Sequence, residues 1–347
     1  MINIRMLPAQ QGDCIVIEYG PNNYDTSMII IDSGKGKECT SKLRRIIQKR
    51  VEEDRKSVNL LILTHYDFDH IGGFNNLIRT DTISRESIDE MWFNFGKRLS
   101  EEVKSKEIFT IEVSDTSIGT NVNHGVELYK VLCEKGINVR AFVSAGMDFY
   151  YNGAKIKILS PSIQQLQNLI DRGGEKITID FSNLQTANSV VGKDFNLSIE
   201  EASKQSYSEK NVSVENKSSI AFIFQYEGKN LLFLGDAVSS QIELELIKLG
   251  YSEKFPIEID ACKIMHHGSE HNTSGSLIRL IRCKNYLISG KWGSQRPTKI
   301  CLSRIVVNSK EPVNFFCNYP IGKIFSDEEI KKYEITISNI GERGILF

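Results

Sequence analysis

The densest concentration of chemistry-bearing side chains is His65-Tyr66-Asp67-Phe68-Asp69-His70, followed by Ile71-Gly72-Gly73. Imidazoles and carboxylates crowd this run directly after the apolar stretch Leu60-Leu61-Ile62-Leu63. Packing explains such a strand end poorly, because an unpaired buried charge costs on the order of several kcal/mol unless something compensates it. A divalent cation is a partner these side chains suit. Mixed imidazole and carboxylate ligation favours zinc, manganese or iron over calcium. The competing reading is a polar loop whose aspartates cap a helix.

Three other apolar runs end the same way. Met28 to Ile31 leads into Asp32-Ser33-Gly34, Asn230 to Leu234 into Gly235-Asp236, and Ala261 to Met265 into His266-His267-Gly268-Ser269. In layered α/β folds the carboxyl edge of the strands is where sites assemble. Taken singly, Asp32 and Asp236 read as well as turn or capping residues, and His266 as a satisfied core histidine. Together with the cluster at 65–70, one shared site is the better account. Neither a G-x-S-x-G elbow nor a Walker A loop is present.

These residues need a frame. Strand-like runs start near residues 4, 14, 28, 60, 155, 219, 230 and 262, and helical patterns cover 40–53, 126–133, 239–249 and 274–282. The alternation predicts α/β layers around buried strands. Residues 313–317 and 333–337 read as closing strands. From about 164 to 216 the chain turns polar, with apolar islands at Ile177, Ile179, Phe181, Val190 and Val191. We read this as an insertion or lid on a single domain spanning 1–347. The 347 residues are 40% hydrophobic and 25% charged, which excludes bulk disorder, and a net charge of −1 excludes a globally basic coat. No apolar stretch suits a membrane span, the first residues do not read as a signal peptide, and seven scattered cysteines without a C-x-x-C pair suggest reduced thiols in the cytoplasm.

The pattern His65-x-Asp67-x-Asp69-His70-x-Gly-Gly resembles the signature of the metallo-β-lactamase fold superfamily. Asp32, Asp236 and the 266–267 pair match its further positions. Asp67, standing where a second histidine is usual, resembles the branch of ComEC-type DNA-uptake hydrolase domains, as do Gln11-Gly12-Asp13, Asn216 to Ile220, Leu159-Ser160-Pro161 and His266 to Ser269. The resemblance implies a four-layer αββα sandwich with two divalent metal ions, zinc or manganese. By resemblance His65 and Asp67 hold one ion, and Asp69, His70 and one histidine of the pair hold the other. His267 is slightly preferred over His266. Asp236 bridges the two, and Asp32 fixes a ligand imidazole. Catalysis would rest on Asp69, Asp236 and His267, with a metal-held hydroxide as nucleophile. A further histidine common in the superfamily is missing unless His124 supplies it. Arg296-Pro297 stands where relatives commonly place His-Pro, which makes Arg296 a candidate phosphate clamp.

The implied activity is that of a phosphodiesterase, with nucleic acid first among its substrates. Asn216, Ser269, Lys291 and Arg296 are candidate substrate contacts, Trp292 a candidate stacking residue, and His271 a speculative acid. Residues 35–56 hold nine Lys or Arg against four acids, and 279–304 add seven more with no acid between them. Such runs can neutralise a phosphate backbone or be solvated helix faces. Two alternatives stand beside this reading. One is hydrolysis of a small molecule such as a phosphocholine ester, cyclic nucleotide or lactone. The other is a metal-binding scaffold for partner proteins of a multi-gene system, such as one of defence.

Overall fold

Alternation along the strands sorts their side chains between different cores. The computed structural model describes residues 1–22, 24–106, 120–174, 194–291, 296–341 and 343–347. Its first sheet holds β1 (Ile2–Met6), β2 (Ile15–Tyr19), β3 (Ser27–Ile31), β4 (Leu60–Ile62), β5 (Met91–Trp92) and β6 (Val139–Arg140). The chain then forms β7 (Asp148–Tyr151), β8 (Ala154–Ser160), β9 (Ala221–Tyr226), β10 (Lys229–Phe233), β11 (Ile257–Glu258), β12 (Ala261–Lys263), β13 (Ile281–Arg282), β14 (Asn285–Ile288), β15 (Asn314–Cys317) and β16 (Thr336–Asn339). All of these but β11 and β13, which pair with each other, make the second sheet, in the order β16-β15-β14-β12-β10-β9-β8-β7. The last strand, β17 (Ile345–Leu346), returns to the first sheet and pairs with β1.

The two sheets face each other. Ile2, Ile4, Ile15, Ile17, Ile29, Leu60 and Trp92 of the first meet Ile156, Phe222, Phe224, Leu231 and Phe233 of the second in one buried core. The intervening residues point the other way, as period two requires. Val16, Ile30 and Leu61 pack under α1 (Lys37–Gln48), α2 (Phe68–Arg79), α3 (Gly96–Lys106), α4 (Thr120–Glu134) and α5 (Ile163–Gly174). Next in the chain come α6 (Ile199–Ser203), α7 (Val214–Lys217), α8 (Ser239–Lys248), α9 (Gly275–Leu280), α10 (Lys299–Asn308) and α11 (Asp327–Lys332). Ile223, Leu232 and Cys262 pack against α6, α8, α9 and α10. The result is the αββα sandwich expected from the sequence.

Two details refine the expectation. The helix read over 40–53 is α1 followed by a wider-wound turn, Lys49–Glu53, which brings Arg50 inward to Thr26 and the Ser57 carbonyl. Of the polar segment, α5 places Leu166 and Leu169 in the first helical core, and α6 places Ile199 and Ala202 in the second. Its islands at Ile177, Ile179, Phe181, Val190 and Val191 lie outside the described residues. Among the described residues no helix is long and apolar enough to cross a membrane.

Phe224 is fully buried between the sheets and sets its ring edge against Tyr19. Phe224→Ala is expected to cost about 3–5 kcal/mol, as lost transfer energy plus a cavity. Urea unfolding checks this, and a loss below 1 kcal/mol would contradict the inter-sheet packing.

Candidate metal centre

The sheets deliver chemistry to one edge because of how their strands run. β3 and β4 are parallel, and so are β10, β12 and β14. Their carboxyl ends carry Asp32, Thr64 to His70, Asp236, His266 to His267, and Ser289. β2 and β9 run antiparallel to these neighbours, so it is their amino ends, with Asp13 and Asn216 to Ser219, that arrive at the same edge.

Local backbone geometry aims the side chains. His65 and Asp67 lie in the loop after β4, and Asp69 and His70 form the first turn of α2. Gly73 lets α2 approach the β3 loop, since a Cβ there would lie 2.5 Å from the Ser33 carbonyl oxygen. Asp32, His266 and His267 all take left-handed backbone, with φ of 55°, 46° and 56°. Such residues cost on the order of 1–3 kcal/mol each, and they cluster where function needs a fixed side-chain direction.

Asp236 is the centre. Its Oδ2 lies 3.9 Å from His65 Nε2, 3.5 Å from His70 Nε2 and 3.4 Å from His266 Nε2, and its Oδ1 lies 4.0 Å from His267 Nε2. Asp67 flanks one side, 3.5 Å from His65 Nε2, and Asp69 the other, 3.9 Å from His267 Nε2. His65, His70 and Asp236 form one candidate ligand group, and Asp69, His70 and His267 another, the ligand atoms of each within 4.8 Å of one another; Asp67 stands beside the first through His65. His267 stands in that second group, whereas His266 Nε2 meets the Arg296 guanidinium at 2.5 Å and His266 Nδ1 meets Asn272 at 3.0 Å.

The donor set fits a divalent ion. Nε2 of His65, His70 and His267 and Oδ1 of Asp236 are buried and find no hydrogen-bond partner. Buried polar groups are ordinarily paired, and four unpaired atoms converging on one point ask for a cation. The opposite ring nitrogens are already held. His70 Nδ1 donates to Asp32 Oδ2 at 2.7 Å, and Asp32 also accepts the Thr64 amide and hydroxyl at 2.8 and 2.7 Å. His65 Nδ1 lies 3.2 Å from the hydroxyls of Thr64 and Ser219. These contacts leave Nε2 as the lone-pair nitrogen of each ring.

The electrostatics are those of a strongly coupled cluster. Burial pushes the Asp236 carboxyl up, but His266, His70 and His267 together hold it well below the usual carboxylate range. Burial pulls His70 down, and Asp236 and Asp32 outweigh that and raise it well above an ordinary histidine. His266 behaves differently: burial, with Arg296 and His267 opposing Asp236, lowers it to about 4.

The remaining candidates divide. Asn216 is buried with its amide nitrogen 3.5 Å from the His266 ring nitrogens. Arg296 faces the cluster, close enough for Asp236 and Asp69 to act on its charge. Ser269 is buried, and its hydroxyl accepts the His271 amide at 3.2 Å. Lys291 is exposed and tied by its own amide to the Gln10 carbonyl. His124 is no ligand here, since its ring packs on Phe68. His271 is half-buried beside Glu270, its Nδ1 3.3 Å from the Ser208 carbonyl, and Trp292 lies outside the described residues.

The basic runs are partly engaged within the fold. Arg50 is buried, Arg304 donates to the carbonyls of Glu270, Thr273, Gln205 and Ser206, and Lys299, Arg279 and Arg282 pair with Glu329, Glu253 and Glu258. Much of this charge is spent holding the fold. What sequence reasoning missed are the supports Thr64, Asn272, Ser289 and Lys263. Only Lys263 left a signal, as a cation inside an apolar run.

Layers, strand order and site edge together make an αββα sandwich with the candidate centre at the edge where the strand ends of both sheets meet. The family model described as "Metallo-beta-lactamase superfamily" matches residues 7–129, the stretch that carries Asp32 and His65 to His70. No curated protein matches the chain. Among solved structures, the chain is similar to the metallo-beta-lactamase fold protein YhfI from Bacillus subtilis, at 9% identity and a TM-score of 0.40, covering 100% of this chain and 99% of that one. It is also similar to Zn(2+)-bound PqqB from Methylobacterium extorquens, at 10% identity and a TM-score of 0.38, covering 93% and 83%. A metallo beta lactamase from Hirschia baltica aligns at 11% identity and a TM-score of 0.29, over 69% and 73%.

Asp32→Asn removes the charge that fixes His70. It is expected to lower divalent-ion affinity about 10–100-fold, measured by zinc competition against a chromophoric chelator. Unchanged affinity would deny Asp32 this role.

Proposed function

We propose that the chain is a hydrolase that holds two divalent ions, zinc or manganese, and cleaves phosphodiesters, nucleic acid first among them. The observation that carries the reading is the convergence of buried, unpartnered Nε2 atoms and the Asp236 carboxylate from both sheets. His65, Asp67 and Asp236 would hold one ion, and Asp69, His70, His267 and Asp236 the other. Bound ions of this kind supply Lewis acidity and an activated water.

The chain's own residues do the rest. Asp236 lies between the two groups and ties them together. Asp32 and Thr64 hold the His70 ring, and Thr64 and Ser219 the His65 ring, so each Nε2 faces the centre. Arg296 sets a guanidinium at the rim beside His266, and its planar fork of donors suits phosphate oxygens better than an ester or lactone carbonyl. Asn216 faces the same imidazole. The Gln11-Gly12-Asp13 turn and the Asn216 to Ile220 segment support a ComEC-type affiliation at the level of resemblance. The paired basic runs lend no weight to a polymer over a small diester, so the substrate assay must include both.

The test uses protein loaded with zinc or manganese, assayed on bis(p-nitrophenyl) phosphate and on linear and circular single- and double-stranded DNA. Wild type should cleave, and Arg296→Ala should lower kcat about 100-fold, with Arg296→Lys recovering only part. Loaded protein that opens a lactone or thioester and leaves every diester intact would overturn the reading.

A further inference from the structure

Beneath the candidate centre lies a second carboxylate that the proposed chemistry does not use. Asp13 and Lys263 are both 1% exposed, and Lys263 Nζ lies 2.9 Å from Asp13 Oδ2. Lys263 sits in β12 at the middle of the second sheet and also donates to the Ile264 carbonyl at 3.0 Å. The other carboxylate oxygen, Asp13 Oδ1, accepts from the Ser289 hydroxyl and lies 3.4 Å from His267 Nδ1. His267 Nδ1 is also 3.3 Å from Ser289 Oγ. The far nitrogen of the same ring, Nε2, is one of the unpartnered atoms aimed at Asp69 and Asp236.

The turn carrying Asp13 is pressed onto the first ligand motif. A Cβ on Gly12 would lie 1.8 Å from the Asp69 carbonyl oxygen, so only glycine admits this approach. One short turn therefore abuts the backbone of a ligand from the first sheet and holds the ring of a ligand from the second.

We infer that Asp13 is a positioning residue for the second ion site: with Lys263 and Ser289 it fixes the tautomer and direction of the His267 ring, as Asp32 does for His70. This rests on the reading of His267 as a metal ligand given above. The physical logic is that of a buried carboxylate behind an imidazole. It accepts the Nδ1 proton, keeps the Nε2 lone pair toward the cation, and raises the basicity of the ring. A lone buried carboxylate would be costly, and the Lys263 ammonium on its opposite face compensates it while keeping it ionised. The site thus has one such carboxylate behind a ligand imidazole from each sheet, Asp32 in the first half and Asp13 reaching into the second.

The test compares zinc stoichiometry and stepwise affinity, by competition against a chromophoric chelator, in wild type, Asp13→Asn and the double variant Asp13→Asn/Lys263→Met. The double variant removes both buried charges, so it folds even if the single variant, with its unpaired lysine, does not. Both variants should weaken one of two zinc equivalents about 10–100-fold and leave the other near wild type. The cobalt(II) absorption of the weakened site should shift, a change that loss of stability alone would not produce. A folded double variant that binds both equivalents as tightly as wild type, or loses both together, would overturn the inference while the two-ion reading stands. A wild type that takes up neither zinc nor manganese would overturn both.

Discussion

Asp236 must remain an ionised carboxylate at a place from which water is largely excluded, and much of the surrounding structure follows from that requirement. Its neighbours supply the compensation: imidazoles of His65 and His70 from the first sheet and of His266 and His267 from the second, all within 4.0 Å. No single sheet could provide this ring of nitrogens. The apolar interior between the sheets fixes how far apart the two sets of strand ends stand. Phe222, Phe224 and Trp92 therefore act on the centre without touching it.

The protein accepts local strain to keep these groups in place. Asp32, His266 and His267 sit in left-handed backbone that a freely chosen turn would assign to glycine or asparagine. The rings of His65, His70 and His267 are held from behind by hydroxyls or carboxylates. Their Nε2 atoms, facing the centre, find no hydrogen-bond partner. Pre-organisation of this kind places the cost of assembling the site in folding rather than in cation capture.

Much of this was legible in the chain. His65 to His70 declared themselves by density, and Asp32 and Asp236 by ending apolar runs, because strand ends and polar clusters are local patterns. The sandwich followed from alternating elements and from the family resemblance. What separates His266 from His267 are contacts to Arg296 and Asn272 on one side and to Asp69 and His70 on the other, which spacing does not encode. Lys263 was visible as a lysine inside an apolar run, yet its partner Asp13 lies 250 positions away, and only strand order joins them. The basic runs stayed ambiguous for a related reason. Composition counts charges but does not show that Arg50 and Arg304 turn inward to carbonyls.

The return of β17 to the first sheet has a consequence for the order of events during synthesis. β1 pairs with β2 as soon as both have emerged, but its outer edge is covered only when Asn3 and Ile4 meet Leu346 and Ile345. Until then a nearly finished half-sandwich presents an open strand edge and an apolar face that only the second sheet can cover. Such an edge is a template for pairing with a wrong chain. Contacts spanning nearly the whole sequence are also slow to form. Until β17 closes it, that edge is the part of the first sheet most open to misassembly.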